Sequence, residues 1–89
     1  MLTLYYKPTC YFCQDVLGEA EQLNVKLQLK DVASNPEYKD EIIARGGKYQ
    51  VPFLVDTSND VALFESSDIN AYLRDQQKST HVLRLSGSE

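Results

Sequence analysis

Leu2-Thr3-Leu4-Tyr5-Tyr6-Lys7-Pro8-Thr9-Cys10-Tyr11-Phe12-Cys13 places a short apolar and aromatic run directly before a cysteine pair. The run, closed by Pro8, reads as a strand. The pair holds both cysteines of the chain, in Cys-x-x-Cys spacing. After it, Val16, Leu17, Ala20 and Leu23 recur at helical spacing, while Gln14, Asp15, Glu19, Glu21 and Gln22 fill the other face. The spacing predicts a helix from about Tyr11 to about Leu23, in which Gly18 costs about 1 kcal/mol relative to alanine. Val25, Leu27 and Leu29 then alternate with Lys26, Gln28 and Lys30, the pattern of a half-exposed strand at a sheet edge. Strand, helix and strand within residues 1–31 make a unit of βαβ length, whose right-handed crossover leaves the two strands parallel.

Outward from this unit, Asn35-Pro36-Glu37 is a helix start: a cap, proline at the first helical position and acid in the first turn. Tyr38, Ile42 and Ile43 are expected to face inward, and Arg45 with Gly46-Gly47 to end the helix. Val51-Pro52-Phe53-Leu54-Val55 predicts a third strand, Asp56-Thr57-Ser58-Asn59-Asp60 a turn, and Val61-Ala62-Leu63-Phe64 a fourth strand in an antiparallel hairpin. Ser66 or Ser67 is expected to cap a last helix with Ile69, Tyr72 and Leu73 inside. Residues 79–89 are expected to be a frayed tail, with Val82, Leu83 and Leu85 as apolar points for docking. The order β-α-β-α-β-β-α is an α/β fold with a small mixed sheet and helices on both faces.

The chain has 89 residues, which suits one small domain with a thin core. Its net charge of −4 argues against nucleic acid as a partner. No apolar run approaches the ~20 residues that span a bilayer, and residues 1–7 show neither a basic leader nor a cleavage pattern. The expected location is the cytosol, with no membrane partner. That compartment keeps thiols reduced, and a bridge over so short a loop would restrict the unfolded chain little, so a structural disulfide explains the pair poorly.

Three readings of Cys10 and Cys13 remain. A zinc site usually takes four ligands, and the other candidate ligand is His81 in the tail. Two buried cysteines acting as small hydrophobes would suit an apolar helix face, whereas Cys10 falls at a loop-to-helix junction. A redox dithiol suits this spacing beside a βαβ pattern. At a helix N-terminus, unpaired backbone N–H groups and the positive end of the dipole stabilise a thiolate at Cys10. Lys7 either adds positive charge or is a solvated strand-end lysine. Cys13, one turn into the helix, is expected to be more shielded, so Cys10 attacks and Cys13 resolves. Pro52 is either an ordinary trans proline opening a strand or the second residue of a cis peptide that turns the Val51 backbone toward the thiols.

These residues resemble the glutaredoxin family over about residues 1–78. The resemblance is carried by Tyr-x-Lys-x-x-Cys-x-x-Cys at residues 5–13, by Val51-Pro52, and by the turn Glu65-Ser66-Ser67-Asp68 before the last helix. It implies a thioredoxin fold with sheet order 2-1-3-4, a cis-Pro52, glutathione as reductant and Cys10 as nucleophile. The implied glutathione site comprises Lys7, Phe12, Val51, Pro52, Glu65, Ser66, Ser67 and Asp68, with no metal. Lys7 would pair the glycine carboxylate, the Ser66 and Ser67 N–H groups the γ-glutamyl carboxylate, and Asp68 the α-amine; equally, Ser66, Ser67 and Asp68 cap the helix.

The chain departs from the usual family pattern at three places. Tyr11-Phe12 replaces Pro-Tyr between the cysteines, Gln50 replaces threonine before Val-Pro, and Phe64-Glu65 replaces Gly-Gly. Glu65-Ser66-Ser67-Asp68-Ile69 is more similar to the Glu-Ser segment of glutathione S-transferase N-terminal domains. The thioredoxin signature Trp-Cys-Gly-Pro-Cys is missing, and the chain has no tryptophan. The expected function is a monomeric dithiol glutaredoxin that reduces protein disulfides and protein–glutathione mixed disulfides. The alternatives are a two-chain [2Fe–2S] scaffold held through Cys10 and glutathione, against which the dithiol motif speaks, and a transferase-like glutathione-binding domain.

Overall fold

The computed structural model describes residues 2–76. The tail 79–89, with His81, Val82, Leu83 and Leu85, and the end of the predicted domain at 78 lie outside the described residues. The elements are β1 (Leu2–Tyr6), α1 (Tyr11–Gln22), β2 (Gln28–Asp31), α2 (Glu37–Gly46), β3 (Phe53–Asp56), β4 (Val61–Leu63) and a last helix, α3, over residues 66–76.

The sheet order is β2-β1-β3-β4. β1 pairs parallel with β2, Leu4 opposite Leu29, and antiparallel with β3, Leu4 opposite Leu54. β3 and β4 form the antiparallel hairpin. This is the thioredoxin-fold topology that the resemblance implied. Strand alternation sends Leu4 and Leu54 to one face, where they pack with Val16 and Ala20 of α1 and Ile69 and Leu73 of α3. Tyr5, Phe53 and Val55 point to the other face and pack with Val32 and with Ile42 of α2. Helices therefore cover both faces, and the core is two thin layers separated by the sheet.

Local chemistry explains the element ends. Asn24, past the end of α1, adopts φ 57°, and the Val25 N–H donates to the Ala20 carbonyl at 2.9 Å, closing the helix. α2 starts at Glu37 with Pro36 at its cap, one residue later than expected, and the Asn35 side chain accepts the Glu37 N–H at 3.1 Å from just ahead of it. Gly47 follows α2 at φ 83°, a conformation that glycine adopts without steric cost. Asp56, 4% exposed, accepts from the Ser58 N–H, the Asn59 side-chain amide and the Tyr72 hydroxyl, and so ties the hairpin turn to α3. Burial pushes its carboxyl up, but these donors outweigh burial and hold it below the usual value.

Three further expectations need correction. β2 starts at Gln28 rather than Val25; Val25 and Leu27 still pack on the core from an unpaired segment, while Leu29 is 48% exposed because β2 is an edge strand. Ile43 is exposed, since α2 buries one narrow stripe centred on Ile42, with Tyr38 half-buried beside it. Ser66 and Ser67 do not cap α3 from outside. The helix begins at residue 66, and its first backbone bond runs from the Ile69 N–H to the Glu65 carbonyl at 2.8 Å, which puts Glu65 at the cap.

Gly46 is required by a close approach. A Cβ there would run into the edge of the Phe64 ring and lie 3.2 Å from Phe53 Cε1. The two rings stack with centroids 4.5 Å apart. Gly46→Ala should therefore force Phe64 off Phe53 and cost about 1–3 kcal/mol. A urea titration should show a lower midpoint with an unchanged slope; an unchanged midpoint would show that the contact is not tight.

Candidate active site

β1 ends at Tyr6, and the chain turns through Lys7–Thr9 before α1 begins. The Cys10 N–H donates to the Lys7 carbonyl at 3.1 Å, and the Cys10 carbonyl accepts the Gln14 N–H at 3.1 Å. The Gln14 side-chain amide donates to the Pro8 carbonyl at 2.9 Å and fastens the turn to the helix. Cys10 is the N-cap of α1 with extended backbone (φ −84°, ψ 120°) and no side-chain capping bond. Its sulfur is half-buried at the helix end where first-turn N–H groups lack intrahelical acceptors.

Cys13 differs sharply. It lies one turn later and is fully buried. Burial pushes its thiol up to about 12; a hydrogen bond with the Lys7 backbone opposes this, and the neighbouring Cys10 sulfur adds to it. Both cysteines are free thiols. Tyr11 and Phe12, between them, are 73% and 57% exposed and meet edge to face at 5.7 Å.

A groove of about 290 Å³ is lined by Phe12, which stands between the two cysteines in the chain, and by Gln50, Val51, Pro52, Phe64, Glu65 and Ser66. The Val51–Pro52 peptide is cis, as the resemblance implied. Three lysines stand on aromatic rings around this region. Lys7 and Lys39 Nζ lie 5.6 and 5.1 Å from the centre of the Tyr49 ring, and Lys48 Nζ lies 4.8 Å from that of Phe64. Among the described residues, no group of three or more His, Cys, Asp or Glu side chains is placed to hold a metal ion.

A family model described as Glutaredoxin matches residues 2–58. The chain belongs to the glutaredoxin family. Among solved structures it is similar to a delta-class glutathione transferase from Nilaparvata lugens, at 35% identity and TM-score 0.73 over 86% of this chain and 36% of that one. A glutathione transferase from the Antarctic clam Laternula elliptica is 26% identical, with TM-score 0.74 over 86% of this chain and 35% of that one. A glutathione transferase homologue from Sulfitobacter with bound glutathione is 26% identical, with TM-score 0.71 over 89% of this chain and 38% of that one. The chain thus spans little more than a third of the length of these transferases. No curated protein sequence matches it.

Of the residues that the glutaredoxin and transferase patterns pointed to, Phe12, Val51, Pro52, Glu65 and Ser66 line one groove. Ser67 and Asp68 are exposed in the first turn of α3, just beyond its lining, and Lys7 stands on Tyr49 rather than in the groove. Lys39, Lys48 and Tyr49 were not singled out from sequence, nor was Phe64 as a groove wall. Lys39 belongs to the exposed face of α2, so nothing in its helical spacing set it apart. Lys48-Tyr49, a cation and an aromatic in a loop directly before Val51-Pro52, was the available signal.

Two measurements follow from the unequal burial. Iodoacetamide at pH near 8 should alkylate Cys10 and spare Cys13, as peptide mass mapping would show; equal labelling would contradict the burial. Between pH ~8.5, where an unfolded cysteine ionises, and about 12, the folded Cys13 keeps its proton. Over that window the unfolded state binds fewer protons, so stability falls as pH rises. Cys13→Ala should remove this slope, measured as the difference between wild-type and variant urea midpoints across alkaline pH.

Proposed function

We propose that the chain is a dithiol, glutathione-dependent thiol–disulfide oxidoreductase of the cytoplasm, acting as a monomer on protein disulfides and protein–glutathione mixed disulfides. The observation that carries this is the pair of unequal thiols at the start of α1: Cys10 half-exposed at the cap, Cys13 fully buried and held protonated one turn away. The groove that Phe12 lines and the likeness to a Sulfitobacter homologue with bound glutathione support glutathione as the reductant.

The chemistry balances as two exchanges. With a glutathionylated protein, the Cys10 thiolate attacks the glutathione sulfur; a Cys10–glutathione disulfide forms and the protein leaves as thiolate. The thiolate of a second glutathione attacks that sulfur, releasing oxidised glutathione and restoring Cys10. With a protein disulfide, Cys10 forms a mixed disulfide and one substrate thiolate departs. Cys13, its proton passed to solvent, attacks the Cys10 sulfur and releases the second thiolate. Two glutathione molecules then reduce the Cys10–Cys13 bridge. Once Cys10 is in a mixed disulfide it carries no charge, which removes one cause of the raised Cys13 thiol and eases its ionisation.

In the bound tripeptide, the backbone N–H groups of Ser66 and Ser67 at the start of α3 hold the γ-glutamyl carboxylate. Asp68 takes the α-amine and Lys7 the glycine carboxylate. Phe12, Val51, Pro52 and Glu65 form the walls.

The test is a coupled assay with glutathione, glutathione reductase and NADPH. Cys10→Ser should abolish both activities. Cys13→Ser should keep most deglutathionylation and lose much of the protein-disulfide reduction, and Lys7→Ala should chiefly raise the glutathione concentration needed. Full activity in Cys10→Ser, or recycling by thioredoxin reductase and not by glutathione, would overturn this reading. So would a visible iron–sulfur absorption band in protein purified without oxygen that accounts for all of the Cys10.

A further inference from the structure

The Lys7-Pro8-Thr9 turn carries the chain from β1 to Cys10, and two neighbouring side chains of α1 reach back to it. The buried Cys13 sulfur is hydrogen-bonded to the Lys7 backbone, and the Gln14 side-chain amide donates to the Pro8 carbonyl at 2.9 Å. Gln14 also meets the far end of the turn through its backbone, whose N–H donates to the Cys10 carbonyl at 3.1 Å. It therefore brackets Thr9-Cys10 from both sides, although the residue itself is exposed. Its place on the polar face of α1 gives no hint of this.

The two grips differ in what they survive. In the step that clears a protein mixed disulfide, the Cys13 thiolate, its proton passed to solvent, attacks the Cys10 sulfur. The Cys10–Cys13 bond forms, the bond from Cys10 to the substrate sulfur breaks, and the substrate leaves as thiolate. A thiolate accepts an N–H strongly, whereas a bridged sulfur carries no charge and accepts it weakly. The grip of Cys13 on Lys7 thus fades as the bridge closes. The Gln14–Pro8 bond joins two neutral groups, neither of them sulfur, and holds through every redox state.

We propose that Gln14 is a positioning residue for this step: by tying Pro8 to α1, it keeps the Cys10 sulfur in register with Cys13 while the bridge closes. Gln14 has this role only within the dithiol exchange proposed above. Closing the bridge is intramolecular, so its rate depends on how closely the two sulfurs are held in the reacting geometry. Deglutathionylation asks less of the tie. There the second sulfur belongs to a free glutathione arriving from solvent, and Cys13 takes no part.

The experiment compares the full chain with Gln14→Met, which keeps the length of the side chain without the donor, and Gln14→Arg, which restores an N–H donor. In the coupled assay, the rate of insulin disulfide reduction is divided by the rate of glutathione release from a glutathionylated peptide. One exposed hydrogen bond sets the scale, so this ratio should fall about fivefold in Gln14→Met and recover most of the loss in Gln14→Arg. A second readout needs no turnover. In a glutathione redox buffer quenched with acid, mass spectrometry should show the balance between the Cys10–Cys13 bridge and the Cys10–glutathione adduct shifted toward the adduct in Gln14→Met. Far-ultraviolet circular dichroism checks that each variant is folded. A merely structural role would lower both rates together, so an unchanged ratio in Gln14→Met would overturn this proposal and leave the oxidoreductase reading standing. A fall that Gln14→Arg does not reverse would show that the donor is not the cause and overturn it as well. An unaltered chain that turns over neither substrate would instead sink the oxidoreductase reading and this one with it.

Discussion

β1 is paired on both sides, parallel to β2 and antiparallel to β3. A strand so held has its end fixed from two directions, and the Val32 N–H adds a bond to the Tyr6 carbonyl at 3.0 Å. The next residues have little freedom before α1 begins. Cys10 lies four residues past the last paired residue, and its position follows from that anchor, from the turn closed on the Lys7 carbonyl, and from α1 packing Val16 and Ala20 on the sheet. In a domain with a core this thin, the doubly paired strand and the packing of α1 on the sheet carry the task of placing the sulfur.

The same packing makes the thiols unequal. α1 turns one face to the sheet, and Cys13 falls on it with Val16 and Ala20, three and seven residues on. Burial is the first cause of its raised thiol, so a requirement of folding and one of chemistry are met by the same side chain. The groove arises similarly. Gly46 leaves room for Phe64 to stack on Phe53, and Phe64 then walls the space beside Pro52.

Much of this was legible in sequence because the signals are local. The Cys-x-x-Cys spacing, the strand before it, the Asn35-Pro36-Glu37 start and the Gly46-Gly47 stop each depend on a few neighbouring residues, and all appear within one residue of where their chemistry places them. The parallel run of β1 and β2 was legible through the crossover rule, and the order of the sheet through the family resemblance. The misses at Leu29 and Ile43 share a cause. Whether Leu29 or Ile43 is buried depends on what lies across from it, and alternation along a strand or helix carries no information about that. The convergence of Lys7, Lys39 and Lys48 is likewise tertiary, since it joins the end of β1, the outer face of α2 and the loop before β3.

That convergence bears on how an acidic protein handles anionic ligands. Charges farther apart than about 10 Å are largely screened in 0.1 M salt, so an approaching carboxylate responds to the nearest side chains more than to the net charge. Lysines seated on rings keep their positions without a carboxylate to neutralise them, whereas Lys30, bonded to Glu41 and resting over Tyr5 and Tyr38, presents far less field to solvent. Both arrangements use aromatic faces to hold an ammonium. They differ in whether a carboxylate completes the pair within the fold, as Glu41 does for Lys30, or whether the ring alone holds the ammonium, as for Lys7, Lys39 and Lys48.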